Sequence, residues 1–188
     1  MAFWQQAGSE AKRNYRYRVQ IQGTGMVDAN SATADSLWWA KAVTLPSFDV
    51  SNTEVHHFDN RYYFPGRVTW NPVSFTLVDP ISVDAAKQVS QMLANAGYQV
   101  ATSATDKTKT VNRKASIASA ITNVTIEVVD SDNLVKEKWV CKNVFIESAK
   151  YGDLAYDNDE LKTIELTIRY DYCDHMADNG TTTKLQNP

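Results

Sequence analysis

Apolar and polar positions alternate along this chain in several short runs, and the period changes only once. Tyr15, Tyr17, Val19 and Ile21 alternate with Arg16, Arg18 and Gln20, which predicts a first strand with one buried face. Gly23-Thr-Gly25 ends that run, and Met26–Ser36 reads as a loop of small residues. Leu37–Thr44 is apolar and β-branched enough for a second strand, broken by Leu45-Pro46. Val73, Phe75 and Leu77 alternate with Ser74 and Thr76, and Val124, Ile126 and Val128 mark a further strand. In Leu134–Ser148 the apolar phase slips. Val135, Trp139 and Cys141 fall on one face and Val144 and Ile146 on the other, so a bulge or bend is expected near Lys142-Asn143. Ile164, Leu166, Ile168, Tyr170 and Tyr172 against Glu165, Thr167, Arg169 and Asp171 give the cleanest strand. The helical period occurs once, at Val83, Ala86, Val89, Leu93 and Ala96. Asp79-Pro80 supplies a cap-type residue and a first-turn proline, Ser82 or Asp84 can serve the same amides, and Gly97 suits a left-handed end. At ~14 residues this helix must lie on a sheet to be stable.

Between the second strand and the run at Val73 lies a long polar, aromatic-rich segment, Phe48–Phe64, closed by Pro65-Gly66. It reads as a projecting hairpin, and Phe48, Phe58, Tyr62, Tyr63 and Phe64 carry more aromatic surface than a lone hairpin keeps dry. Such a surface calls for a partner unless it folds back on the subunit's own sheet. Gln99–Ser119, rich in Thr, Ser, Ala and Lys, reads as a long functional or mobile loop. No helix–strand alternation supports a parallel sheet. The expected fold is mainly β (α+β): an antiparallel β-sandwich or barrel with one α-helix, a long hairpin and projecting loops. A single domain spans residues 1–176, with an N-terminal arm at 1–14 carrying Phe3 and Trp4, an extended loop at 98–119, and a flexible tail at 177–188.

Composition narrows the class further. The chain has 188 residues, 43% hydrophobic and 22% charged, which suits one domain with a real core. It has no apolar run of ~18 residues for a membrane span and no apolar leader at MAFWQQAGSEAKRN. The net charge of −3 is uneven: residues 1–122 hold 12 Lys and Arg against 9 Asp and Glu, whereas residues 123–175 hold 6 against 12. Clustered Lys and Arg of a nucleic-acid reader are missing. His56-His57 would point to opposite faces of a strand and so not share one ion. Asp130-Ser-Asp132-Asn133 opens like a calcium loop but lacks its glycine and distal glutamate, which favours an Asx turn. Cys173-Asp-His175 has a nucleophile and a base in type only. Cys141 and Cys173 read as buried thiols, with a disulfide as the alternative. No nucleotide, hydrolase or redox motif occurs, so no enzyme, metal or cofactor is expected.

The order of these features resembles the tail tube proteins of contractile-tailed bacteriophages. The shared pattern is a strand ending in Ala42, Leu45 and Pro46, a long hairpin, a strand ending at Asp79, and one helix. Gly152–Tyr172, GDLAYDNDELKTIELTIRYDY, is similar to that family's closing arm and last strand. The resemblance covers roughly Tyr15 to Tyr172. It implies a structural subunit of hexameric rings whose inner sheets join into one barrel, stacked as the conduit for DNA ejection. The chain would be made in the host bacterial cytoplasm and reside in the virion tail, without membrane contact. The implied partners are further copies of the chain, the tail sheath protein, baseplate and tail-terminator proteins, and double-stranded DNA passing without specific binding. Inter-ring contact would fall to the hairpin residues Phe48, Val50, Phe58, Arg61, Tyr62, Tyr63 and Phe64, and to Asp153, Tyr156, Asp157 and Asp159 of the acidic arm, which otherwise reads as a solvated turn. A lumen that lets DNA slide must not be basic. Glu127, Asp130, Asp132 and Glu165 are therefore lumen-facing candidates, unless they face outer solvent or pair with Arg16, Arg18 and Lys136. The same pattern would suit a baseplate-proximal tube initiator or the tube of a related injection or type VI secretion system. A binding β-sandwich is the other class it allows.

Overall fold

The computed structural model of the chain describes residues 12–23, 35–38, 40–81, 84–98, 120–157, 159–177 and 182–184. Among the described residues the elements run in the order β1 (Tyr17–Gln22), β2 (Asp35–Trp38), β3 (Ala40–Val43), β4 (Phe48–His57), β5 (Asn60–Trp70), β6 (Val73–Val78), α1 (Ala85–Asn95), β7 (Asn123–Val129), β8 (Val135–Lys142), β9 (Phe145–Lys150), β10 (Thr163–Arg169), β11 (Tyr172–Ala177) and β12 (Thr182–Lys184). All pairings are antiparallel. They form a six-stranded sheet β12-β11-β8-β7-β1-β2, a four-stranded sheet β3-β6-β10-β9 and a two-stranded sheet β4-β5.

The two larger sheets share one core. Val19, Ile21, Val124, Ile126 and Cys141 come from one, and Val73, Phe75, Leu77, Ile164, Leu166 and Ile168 from the other, joined by Ala85, Val89 and Met92 of the helix. This is the expected mainly-β sandwich with a single helix among the described residues. Its sheets stay open, so the barrel alternative falls away.

Three of the expected strands turn out to be pairs. Leu37–Thr44 divides into β2 in one sheet and β3 in the other. Leu134–Ser148 divides into β8 and β9, and Ile164–Tyr172 ends at Arg169 before β11 begins in the opposite sheet. The phase slip at Lys142-Asn143 is therefore a crossing between layers rather than a bulge within one strand. Asn143 takes a positive φ of 53° there, and Val144 is fully buried between the layers. A residue that leaves one sheet and enters the facing one must invert which side is buried, and the sequence records this inversion as a change of phase. Within the expected tail, Thr182–Lys184 pairs with β11 as an edge strand. Three polar residues with no apolar alternation carry no strand signal of their own, and the pairing comes from the open edge of β11. The expected helix residues Ser82 and Val83, the arm residues Phe3 and Trp4, and nearly all of the 98–119 loop lie outside the described residues.

The helix starts later than Asp79-Pro80 suggests. Asp84 is the N-cap, accepting from the Lys87 amide at 2.9 Å, and Asp79 reaches forward to accept from the Ala85 amide at 3.0 Å. Pro80 thus precedes the helix instead of occupying its first turn. At the other end Gly97 has a φ of 94°, the Gly97 amide donates to the Ala94 carbonyl and the Tyr98 amide to the Leu93 carbonyl. These two bonds are the Schellman arrangement, which needs a residue free of the Cβ penalty at that φ.

Candidate assembly surface

The β4-β5 hairpin leaves the sandwich as a continuation of β3 and β6, with a two-residue turn at Phe58-Asp59. Every residue of both strands is exposed except Trp70. Trp70 lies 5.4 Å from the Phe48 ring and 5.7 Å from the Tyr170 ring, measured between centroids, and joins the core. The Trp70 indole N–H and the Tyr170 hydroxyl are both buried at this root. Burial holds the Tyr170 phenol above its ordinary pKa. Ring packing among Phe48, Trp70 and Tyr170 holds the root. Folding back is excluded by exposure: Phe58 is 90% exposed, Tyr63 61% and Phe64 58%.

Pro65-Gly66 does not close the hairpin. The two residues lie inside β5, where the register slips between Val50 and Asn52 so that Ser51 opposes the extra residue. The Ser51 hydroxyl accepts from the Arg67 amide at 2.9 Å. A Cβ on Gly66 would come within 2.3 Å of that hydroxyl and 3.0 Å of the Ser51 carbonyl oxygen, so only glycine fits the bulge as built. Proline is tolerated beside it because both strands of a two-stranded sheet are edges.

The bulge divides the aromatic run between two faces. Cross-strand partners share a face, so Phe48, Val50, Val68 and Trp70 lie together at the root. On that same side, farther out, are Glu54, His56, Arg61 and Tyr63, with Glu54 3.3 Å from Arg61 and 3.5 Å from His56. The opposite side carries Val55, Tyr62 and Phe64 near the tip. Its root is polar, with Asp49, Ser51 and Thr69. The apolar surface thus changes sides halfway along the hairpin. Sequence reading grouped Phe48, Val50, Phe58, Arg61, Tyr62, Tyr63 and Phe64 as one set, which the structure separates into root, charged side, apolar tip and turn. It missed Val55, whose signal was only its alternation with Glu54 and His56.

The acidic arm lies between β9 and β10 as irregular, exposed chain. Asp153, Asp157 and Asp159 are exposed there with Tyr156, and Leu154 and Leu161, which no period marks in the sequence, are 83% and 72% exposed. Lys162 anchors its far end, donating to Asp79 at 2.8 Å.

The four lumen candidates do not share a surface. Glu127 sits on the side of the six-stranded sheet turned away from the core but is itself buried, 5% exposed, 2.6 Å from the Arg18 guanidinium and 3.2 Å from the Lys138 ammonium. Its neighbours on that side include Gln20, Thr125, Lys142 and Asp174. Asp130 and Asp132 belong to the β7–β8 turn, a β-turn closed by the Asn133 amide on the Asp130 carbonyl at 3.1 Å, with Asn133 at a φ of 61° and the Asp130 carboxylate accepting from the adjacent Ser131 amide. Glu165 lies on the other sheet, 3.6 Å from Lys150. The acidic excess of residues 123–175 is thus dispersed, and the polar side of the six-stranded sheet mixes Arg18, Lys138 and Lys142 with Glu127 and Asp174.

The remaining sequence candidates are apart as well. His56 and His57 pair with Arg61 and Asn60 on opposite sides of the hairpin. Cys173 packs against Cys141, while His175 lies on the Trp139 ring 3.6 Å from Glu137. Among the described residues no group of three His, Cys, Asp or Glu side chains is arranged to hold a metal, and no helix is long and apolar enough to cross a membrane.

The described residues form an open sandwich with the helix α1 and a projecting hairpin, and known structures share the fold over about nine-tenths of the chain. A chain from the tube-terminating cap of the anti-feeding prophage superposes with a TM-score of 0.65 at 11% identity, covering 91% of this chain and 94% of its own. This is the fold of contractile-injection tube proteins. A chain from the sheath/tube terminator of PVC, an extracellular contractile injection system, in the extended state gives 0.62 at 13% identity over 91% and 100%. An Hcp protein gives 0.52 at 10% identity over 92% and 99%. No protein-family model and no curated protein matches the sequence.

Proposed function

We propose that the chain is a structural subunit of the tube of a contractile tail or injection apparatus, assembling as rings that stack head to tail, with six copies per ring. The observation that carries this reading is the hairpin. A two-stranded hairpin is marginal in water on its own. This one projects from the sandwich with Val55, Tyr62 and Phe64 turned to the side opposite its own Trp70 root. Full burial of such side chains is worth ~1.5–3 kcal/mol each, and a neighbouring copy provides that burial once per subunit around a ring. A head-to-tail contact that does not close on itself then propagates as a filament. The exposed edges β9 and β3 offer strand pairing for lateral contact. The acidic arm, with Asp153, Tyr156, Asp157 and Asp159, is the second contact to the adjacent ring.

In a phage tail this tube is the conduit for DNA ejection, held in the virion with sheath, baseplate and terminator proteins as partners. The polar side of the six-stranded sheet, where the single Glu127 carboxylate lies between Arg18 and Lys138 and offsets one of their two charges, is the surface we assign to the channel. Asp130, Asp132 and Glu165 then lie off it. A tube that delivers other cargo is the second reading, favoured by the full-length likeness to a chain of an extracellular contractile injection system. Negative-stain microscopy and sedimentation of the purified, tag-free chain test the class. Rings or tubes are expected, and a strictly monomeric species at high micromolar concentration overturns it.

A further inference from the structure

We propose that Cys141 and Cys173 form a cross-strand disulfide site, two thiols that a small disulfide oxidant joins across β8 and β11. The inference rests on sulfur geometry and is independent of the tube reading. The two residues are direct partners in the β8–β11 register, in one row with Val124 and Ile21. Both are buried, 0% and 1% exposed, and the sulfurs lie 3.6 Å apart, in van der Waals contact. Directly opposed residues of an antiparallel pair have Cα atoms ~4.5–5.5 Å apart, inside the ~4.4–6.8 Å window a disulfide accepts. Side-chain rotation therefore brings the sulfurs to bonding distance with the ladder intact.

The chemistry is thiol–disulfide exchange. One cysteine thiolate attacks oxidised glutathione, forming a mixed disulfide and expelling a glutathione thiolate. The second cysteine then attacks the protein sulfur of that mixed disulfide and expels the other. Two protein thiols lose two protons and two electrons, and one oxidised glutathione becomes two reduced ones. The hydrogen bond to Cys173 and burial both push the Cys141 thiol above its ordinary pKa, so the folded pair carries little thiolate and exchanges slowly. Opening comes from the β11 side, where the edge strand β12 pairs with Asp174–Met176 and does not reach Cys173. Once closed, the bond encloses β9, the acidic arm and β10 in one covalent loop.

The full chain, equilibrated at pH 8 in glutathione buffers of increasing oxidation, with and without 2 M urea, is then denatured and its remaining thiols alkylated for intact mass. The expected product is a monomer 2 Da lighter with neither cysteine alkylated. It should form several-fold faster in urea, and its thermal midpoint should rise by about 5–10 °C in the oxidised form alone. Cys141→Ser should instead end as a glutathione adduct at Cys173, with no rise. Two alkylatable thiols persisting in the most oxidised buffer, with 2 M urea as well as without it, overturn the proposal. So does cross-linking between chains, or an oxidised monomer whose midpoint falls.

Discussion

Asp79 stands at three junctions. Its amide donates to the Lys162 carbonyl, one carboxylate oxygen caps the Ala85 amide, and the other takes the Lys162 ammonium at 2.8 Å. Burial alone would raise this carboxyl, but Lys162 and the Ala85 and Ala86 amides outweigh it and hold the pKa below the usual carboxylate value. A carboxyl with a depressed folded pKa contributes stability above its unfolded value of ~3.9 and loses it as pH falls through the folded pKa. The thermal midpoint should therefore drop below about pH 4, and Asp79→Asn should flatten part of that drop. At neutral pH the same variant should lose about 1 kcal/mol, or ~2–4 °C. A calorimetric pH series on both proteins checks this, and parallel acid limbs would contradict it. The sequence showed that cap-type residues cluster before the helix. It could not divide the work between Asp79 and Asp84, because Lys162 reaches Asp79 only through the pairing of β10 with β6.

The hairpin was legible as an element, and its internal structure was not. The polar, aromatic-rich segment Phe48–Phe64 between two strand signals reads as a projecting hairpin, but Pro65-Gly66 reads as its close when the glycine is there for the close approach of Ser51. The bulge shifts the phase of β5, but the consecutive aromatics Tyr62, Tyr63 and Phe64 carry no alternation against which the slip would show. Deleting Ser51–Asn60 should leave a folded sandwich with its cooperative transition, since the hairpin gives the core only Trp70, while assembly should stop at single rings or subunits. Loss of the transition would place the hairpin within the core. Gly66→Ala is the finer test. It should shift the melting midpoint by less than ~2 °C yet reduce tube formation, because displacing the Ser51 hydroxyl disturbs the bulge that sets Tyr62 and Phe64 opposite Trp70. Tubes as abundant as those of the parent would show that the face reversal does not govern stacking.

At the scale of the molecule, layer assignment was the part least legible in sequence. Each strand signal is local, and a crossing looks like continuity or a slip until the facing sheet is known. For the same reason the acidic excess of residues 123–175 suggested one acidic surface, whereas the crossings send its carboxylates to both sheets and a loop. If the polar side of the six-stranded sheet lines a DNA channel, Glu127→Gln frees Arg18 and Lys138 in every subunit. Assembled tubes of the parent should not retain duplex DNA at about 0.15 M salt, while tubes of the variant should bind it with a steep salt dependence. Retention by the parent tubes would argue for another cargo. The hairpin also has a mechanical meaning. With ten residues in β4 it extends ~34 Å at ~3.4 Å per residue, a lever with its fulcrum at Trp70. A push at Phe58 is delivered into β3 and β6, adjacent strands of one sheet, and the covalent crossings from β2 and into β8 and β11 carry that load to the other. The two layers of the sandwich therefore bear a thrust along the hairpin together, and neither can be peeled from the other without drawing on the backbone itself.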